Sequence, residues 1–250
     1  MIPPFETTFA VPLSCESCIK DVSSSLYQLE GINNVSASLK DQLISITGTA
    51  APSQIVSAIE STGRDAILRG SGKAESAAVC ILETHASTVR EQVKGLIRMV
   101  QVSPTMTIID MTLKGASPGT YDVSVRERGD ISEGAASTGG VWDAVQAAQE
   151  KQPRVAKGVW GTIEVGQSGL GSVFLDKPIQ IWEMIGRSIV VSRRAENGKQ
   201  REKLEREDAD TFVGVVARSA GVWDNDKTVC SCSGKTVWEE RKEQTSKGML

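Results

Sequence analysis

The chain has 250 residues, 40% hydrophobic and 24% charged, a composition that supports packed cores and excludes wholesale disorder. Its 28 basic and 31 acidic side chains leave a formal charge of −3, so no basic excess points to nucleic acid or an anionic membrane surface. A single histidine, His85, excludes catalytic metal sites built on two or three histidines, and no G-x-S-x-G elbow accompanies it for a Ser-His-Asp hydrolase.

Residues 5–69 read β-α-β-β-α-β. Residues 7–12 are extended. Ile19, Val22, Leu26 and Leu29 then recur at helical spacing, and Gly31 follows as a stop. Alternation at Val35, Ala37 and Leu39, and again over 43–46, marks two strands around a Lys40-Asp41 turn. Pro52 opens a second helix with Ile55, Ala58 and Ile59 on one face, and residues 65–68 close the unit as a strand. This is the split, ferredoxin-like pattern. The C-x-x-C formed by Cys15 and Cys18 falls on the loop after the first strand and on the first turn of the first helix, where backbone N–H groups and the helix dipole favour thiolates.

Residues 69–73 (RGSGK) read as a linker. Beyond them, short β segments at 77–83, 95–102, 106–113, 121–127, 158–165, 188–192 and 211–216, divided by Gly, Pro and Asp, predict an antiparallel barrel or sandwich. The longest apolar run, residues 77–82, is far short of the ~20 residues of a membrane span, so no integral span is expected. Cys80 lies in that run and reads as core. The charged stretch 193–210 reads as a solvated loop. Residues 218–250 hold few core-forming residues and read as a largely irregular tail around the C-x-C of Cys230 and Cys232, bracketed by Trp223 and Trp238.

Five cysteines, an odd number, with no basic patch and apolar segment to read as a secretory signal, argue against an extracellular disulfide framework and for a cytoplasmic setting. Paired thiolates without histidine suit a soft ion, Cu(I), better than four-coordinate zinc. A thiol–disulfide oxidoreductase using the C-x-x-C, and a metal-free binding module with incidental thiols, stay open at this level.

Three resemblances bear on the choice. Leu13-Ser14-Cys15-Glu16-Ser17-Cys18 resembles the M-x-C-x-x-C of the heavy-metal-associated domain of copper chaperones and copper ATPases, with Leu for Met. The middle of the chain resembles Cu,Zn superoxide dismutase: residues 78–82 match its first strand, Gly129-Asp130 its G-D, Ser137-Thr138-Gly139 its S-A-G, and Ile185-Gly186-Arg187 with the following V-V run its I-G-R segment. Yet Ser124, Arg126, Val141 and Ser192 stand where the dismutase has copper ligands, and Ala135 and, approximately, Val213 stand at its disulfide positions. Residues 218–223 and 229–241, with their C-x-C, are similar to the C-terminal domain of the copper chaperones for superoxide dismutase, in their fungal form.

These resemblances imply four segments: a ferredoxin-like domain over 1–70, a linker over 71–76, an all-β Greek-key dismutase-like barrel or sandwich over 77–217, and a tail over 218–250. They imply a metallochaperone and not an enzyme. Cu(I) would be held by Cys15 and Cys18, with Cys230 and Cys232 as a second metal pair that passes copper or a disulfide to the client, and no zinc is expected. The partner implied is Cu,Zn superoxide dismutase, in a heterodimer through Gly129, Asp130, Ile185, Gly186, Arg187 and Val215; the resemblance also allows a homodimer. It implies a cytoplasmic protein, with an additional pool in the mitochondrial intermembrane space.

Overall fold

The structure is a computed structural model that describes residues 2–73, 75–150, 154–195 and 204–221, together with Glu239 and Lys242. Its first unit runs β1 (Phe5–Ala10), α1 (Glu16–Leu26), β2 (Ile32–Ser38), β3 (Leu43–Gly48), α2 (Pro52–Glu60) and β4 (Ile67–Ser71). The strands form one antiparallel sheet in the order β2-β3-β1-β4. Cys18, Val22 and Leu26 face inward from α1, and Pro52, Ile55 and Ile59 from α2. They pack on Phe9, Ile44 and Ile46 of the sheet in one buried cluster. The spacing that extends to Leu29 outlasts the helix: α1 ends at Leu26, and Leu29 reaches the same core from the following turn. The expected linker is also shorter than its composition suggested. Gly70 and Ser71 belong to β4 and pair with Thr8 and Thr7, with Arg69 as the bulged residue, because β1 offers them an open edge.

The second unit contains β5 (Ala77–Glu83), β6 (Val93–Ser103), β7 (Met106–Lys114), β8 (Gly119–Val125), β9 (Val159–Val165), β10 (Leu170–Lys177), β11 (Ser188–Arg193), β12 (Thr211–Val215) and β13 (Ala217–Ser219). Short helices α3 (Ala144–Gln149) and α4 (Ile181–Met184) interrupt the strands. The order β12-β11-β8-β9-β10-β7-β6-β5 carries the skipped connections of a Greek key, and pairing of β5 with β12 and β13 closes the barrel and removes its edges. At that closure Gly214 is required, since a Cβ there would lie 1.9 Å from the Ile81 carbonyl oxygen. Cys80 is fully buried nearby, and burial pushes its thiol up to about 12, as an inert core thiol requires.

Two readings of the sequence change here and a third is refined. Strand β10, absent from the sequence-based list, pairs with β7 over its whole length. Residues 217–219, which overlap the start of the expected tail, form β13 on β5, because the barrel needs a partner for that edge. The charged stretch is half-buried or exposed over its described residues, as a solvated loop would be, but it is also pinned at both ends. Arg193 pairs with Asp210 at 3.2 Å, Arg194 with Asp122 at 2.9 Å and Arg206 with Glu133 at 3.0 Å, and Ser87 donates to Glu207.

The two units are joined over β7. Ile109, Met111 and Leu113 face the barrel interior, so Ile108 and Asp110 point outward. Both remain buried because the first unit covers them. Phe5 and Ile2 pack with Val100, Val102, Ile108 and Phe174. Asp110, 1% exposed, accepts hydrogen bonds from the Ser53 backbone N–H (2.8 Å) and hydroxyl (2.6 Å) at the start of α2, and Arg98 lies 3.6 Å away. Burial pushes its carboxyl above the usual carboxylate range, while Ser53 and Arg98 pull it back.

Asp110→Ala leaves both Ser53 donors without their acceptor and should cost about 3 kcal/mol. Asp110→Asn, which keeps an acceptor and removes a buried charge, should cost less than half of that. A carboxyl raised in the folded state binds its proton more tightly there than in the unfolded chain, so its contribution declines as pH rises from ~4 toward the folded value. Urea denaturation between pH 4 and 7 should show that slope in the parent chain and lose it in Asp110→Asn; identical slopes would exclude a raised Asp110.

Candidate functional site

The loop carrying the C-x-x-C leaves β1 at Ala10, the end of the strand away from Phe5 and its barrel contacts. Val11 and Leu13 are buried, so the loop is anchored by its own apolar residues. Leu13 fills the position where the heavy-metal-associated pattern has Met, beneath the cysteines, and its contacts are with core side chains. Cys15 is the N-cap of α1, with extended backbone, and its carbonyl accepts from the Cys18 N–H at 3.0 Å. Cys15 is exposed and Cys18 nearly covered. Their sulfurs lie 3.4 Å apart, a thiol contact rather than a bond.

Cys18 is the activated member of the pair. The Ser14 hydroxyl sits 3.2 Å from its sulfur. This hydrogen bond, followed by one from Arg64, draws its pKa down from 9.0 to about 6. Arg64 is held in turn by the Thr62 carbonyl at 3.1 Å and by Asp21 at 3.4 Å. Its own pKa rises chiefly because of Cys18. Neither Ser14 nor Arg64 stood out in the sequence. Arg64 lies 46 positions from Cys18, on the turn after α2, and only the antiparallel return of that helix brings the two together. A surface pair of one accessible sulfur and one stabilised thiolate offers a soft ion two donors and leaves its other side open to an incoming ligand.

The other expected pair, Cys230 and Cys232, lies outside the described residues.

On the barrel, the positions that hold metal ligands in the dismutase carry other chemistry. Ser124 and Ser192 are buried on neighbouring strands. Arg126 bridges to Val141 and donates to the Gly139 carbonyl and the Thr138 hydroxyl. A guanidinium has donors only and cannot ligate a metal. Among the described residues no three His, Cys, Asp or Glu side chains gather around a common point. Ala135 and Val213 pack together with Val190, filling with apolar contact the place of the dismutase disulfide.

The structure brings most of the expected docking residues together. A Cβ on Gly129 would lie 2.0 Å from the Gly186 carbonyl oxygen and 3.5 Å from Val215, so these three segments touch and Gly129 is sterically obligatory. The Gly186 N–H donates to Val216, and Arg187 donates to the Glu127 and Glu183 carbonyls. Asp130 shapes the adjacent turn by accepting from the Ser132 N–H at 2.9 Å. Ile185, Gly186 and Arg187 line a concavity of about 520 Å³ together with Trp142 and Trp182, two aromatics the sequence did not single out. The Arg187 guanidinium lies over the Trp142 ring at 4.6 Å, and Trp182 is 65% exposed.

Comparison with known proteins bears on both regions. Residues 8–65 match the heavy-metal-associated domain and residues 93–216 the copper/zinc superoxide dismutase family. The second match starts after β5, which the barrel nonetheless needs for closure. Over whole chains, the protein is 43% identical to a superoxide dismutase 1 copper chaperone of Debaryomyces hansenii, covering 100% of this chain and 99% of that one. It is 40% identical to the protein of that name from Saccharomyces cerevisiae (96% and 95% covered) and 31% identical to the human copper chaperone for superoxide dismutase (93% and 88%).

In a Cys15→Ser, Cys230→Ser, Cys232→Ser background, Cys80 stays protonated and ultraviolet thiolate absorbance reports Cys18 alone. Its titration should centre near 6, and Arg64→Met should move the midpoint up by about one unit. A midpoint near 9.0 in the parent background would refute the activation of Cys18.

Proposed function

The chain belongs to the family of superoxide dismutase copper chaperones, and from that premise we propose that it carries copper, as Cu(I), to Cu,Zn superoxide dismutase and helps to form the client's disulfide. The observation that carries this reading is the coupling of two units: a surface dithiol with one thiolate stabilised at neutral pH, and a dismutase-like barrel without a dismutase's ligands. Cys15 and Cys18 hold the metal. Two sulfurs satisfy Cu(I) yet leave room for a third, so the ion passes by ligand exchange rather than by escape into water. Protonation of Cys18 competes with the metal, so retention weakens as pH falls below about 6.

The barrel docks the client. Gly129, Asp130, Ile185, Gly186, Arg187 and Val215 form the face, in place of a second dismutase subunit, and the same face makes a homodimer when no client is present. Ser124, Arg126, Val141 and Ser192 support a role without dismutation and without zinc. Cys230 and Cys232 act at the client. A disulfide between residues two apart closes a small, strained ring and is readily attacked. Dioxygen oxidises the chaperone pair to that disulfide; a client thiolate then opens it, the second client thiolate displaces the chaperone sulfur from the mixed disulfide, and two electrons pass from the client pair to the chaperone pair. The site of action is the cytoplasm, with a second pool in the mitochondrial intermembrane space. Among the described residues no helix is long and apolar enough to cross a membrane.

The test mixes Cu(I)-loaded protein with reduced, zinc-loaded, copper-free dismutase in air, with a chelator present to trap free copper. Client activity and client disulfide should appear together. Copper that stays bound with no client activation would reject the reading. The Cys230→Ser, Cys232→Ser variant should dock normally and reduce client disulfide formation to background; undiminished formation would remove the tail pair from the mechanism.

A further inference from the structure

The chain that leaves β1 toward the cysteines outruns its partner strand. The last pair of the β1–β3 ladder is Ala10 with Leu43, and one more bond, from the Val11 N–H to the Gln42 carbonyl (2.9 Å), follows it. Beyond that, β3 turns away toward β2, and the backbone of Leu13 faces no strand. The Gln42 side chain takes the place of one. Its Oε1 accepts from the Leu13 N–H at 2.8 Å, and its Nε2 donates to the Leu13 carbonyl and to the Leu39 carbonyl (3.1 Å). One carboxamide thus pairs with both backbone polar groups of one residue, as a neighbouring strand would. Gln42 is held for this in a left-handed conformation (φ 56), which is unfavourable for a residue with a Cβ. The turn beneath it is set by the Ser38 hydroxyl and Asp41, 2.6 Å apart.

We propose that Gln42 is a positioning residue for copper binding: its carboxamide clips the backbone of Leu13 and holds the metal loop in its binding shape before copper arrives and after it leaves. This rests on the assignment of copper to Cys15 and Cys18. With Leu13 fixed, only Ser14 separates the clip from Cys15. The same residue, Ser14, carries the hydroxyl beside the Cys18 sulfur. The clip therefore fixes the approach of both sulfurs while leaving the Cys15 side chain exposed. A loop ordered in advance loses little conformational freedom when the metal binds. No other side chain reproduces the pattern. Asn is one methylene short, and Glu keeps an acceptor for the Leu13 N–H but sets a second acceptor against the Leu13 and Leu39 carbonyls.

The experiment measures Cu(I) affinity by competition with a chromogenic chelator at neutral pH, in the full chain carrying Cys230→Ser and Cys232→Ser so that Cys15 and Cys18 alone are read; this chain is the parent. The parent is compared with Gln42→Ala, Gln42→Glu and Ile59→Val, a core substitution in the same buried cluster that leaves the Gln42 carboxamide and its partners unchanged. Amide hydrogen exchange of the metal-free protein is read at Leu13. Both Gln42 variants should bind Cu(I) about tenfold more weakly, equivalent to ~1.4 kcal/mol, with faster exchange at Leu13. Ile59→Val should keep parental affinity. Parental affinity in both Gln42 variants, or an equal loss in Ile59→Val, would overturn the positioning role and leave the copper assignment intact. A parent that binds no Cu(I) would overturn the copper assignment itself, and with it the role of the clip.

Discussion

A carboxylate on the outer face of a barrel strand belongs in water, yet Asp110 is sealed from it. Both of its oxygens are taken by Ser53 of the other unit, Arg98 lies beside it, and an apolar cluster of Phe5, Val100 and Ile108 also joins the units. Removing a charge from water is costly unless hydrogen bonds replace the hydration, and here a helix start replaces it. The spatial arrangement follows from that contact. With the start of α2 and the beginning of β1 held against the barrel, the far end of β1 carries the cysteine loop away from it. The proposed copper pair therefore stands clear of the barrel wall, open to exchange partners.

At the cysteines the same logic runs in reverse. There the nearly covered Cys18 thiolate keeps its charge, and a hydroxyl and a guanidinium lower its energy. Ser14 and Arg64 stabilise the Cys18 anion without closing around it, and Asp21 holds Arg64 in place. Four sulfurs around an ion would bind it more firmly and release it less readily. A two-sulfur site that begins at a helix N-terminus suits a carrier.

The barrel shows how a shape outlives its chemistry. Where a dismutase would hold metal and a disulfide, this chain has buried serines, an arginine tied to backbone oxygens, and an apolar contact between Ala135 and Val213. Arg126 gives its donors to a hydroxyl and a carbonyl, and Val141, Ala135 and Val213 bring no polar side-chain atoms, so the strands keep their register without the ligands. The turns that Gly129 and Gly186 build survive because backbone contact demands them, whatever the sites nearby contain.

Much of this was legible in the residue order. Hydrophobic spacing located both helices of the first unit and most barrel strands, and short motifs identified the C-x-x-C, the Gly129-Asp130 turn and the Ile185-Gly186-Arg187 segment. These signals are local: a helix face or an alternating strand repeats within a few residues, and a motif carries its spacing with it. β10 escaped because glycine and aspartate break its alternation, and β13 because only the barrel's open edge makes the short run Ala217-Arg218-Ser219 a strand. The partners that make the site work were beyond the reach of such reading. Gln42 meets Leu13 across 29 positions, Arg64 lies 46 from Cys18, and Ser53 meets Asp110 across 57. The residue types were visible at each place, but strand register and helix return alone decided which of them met. A hydrogen bond depends on where two atoms stand in space, and that position is a property of the folded chain.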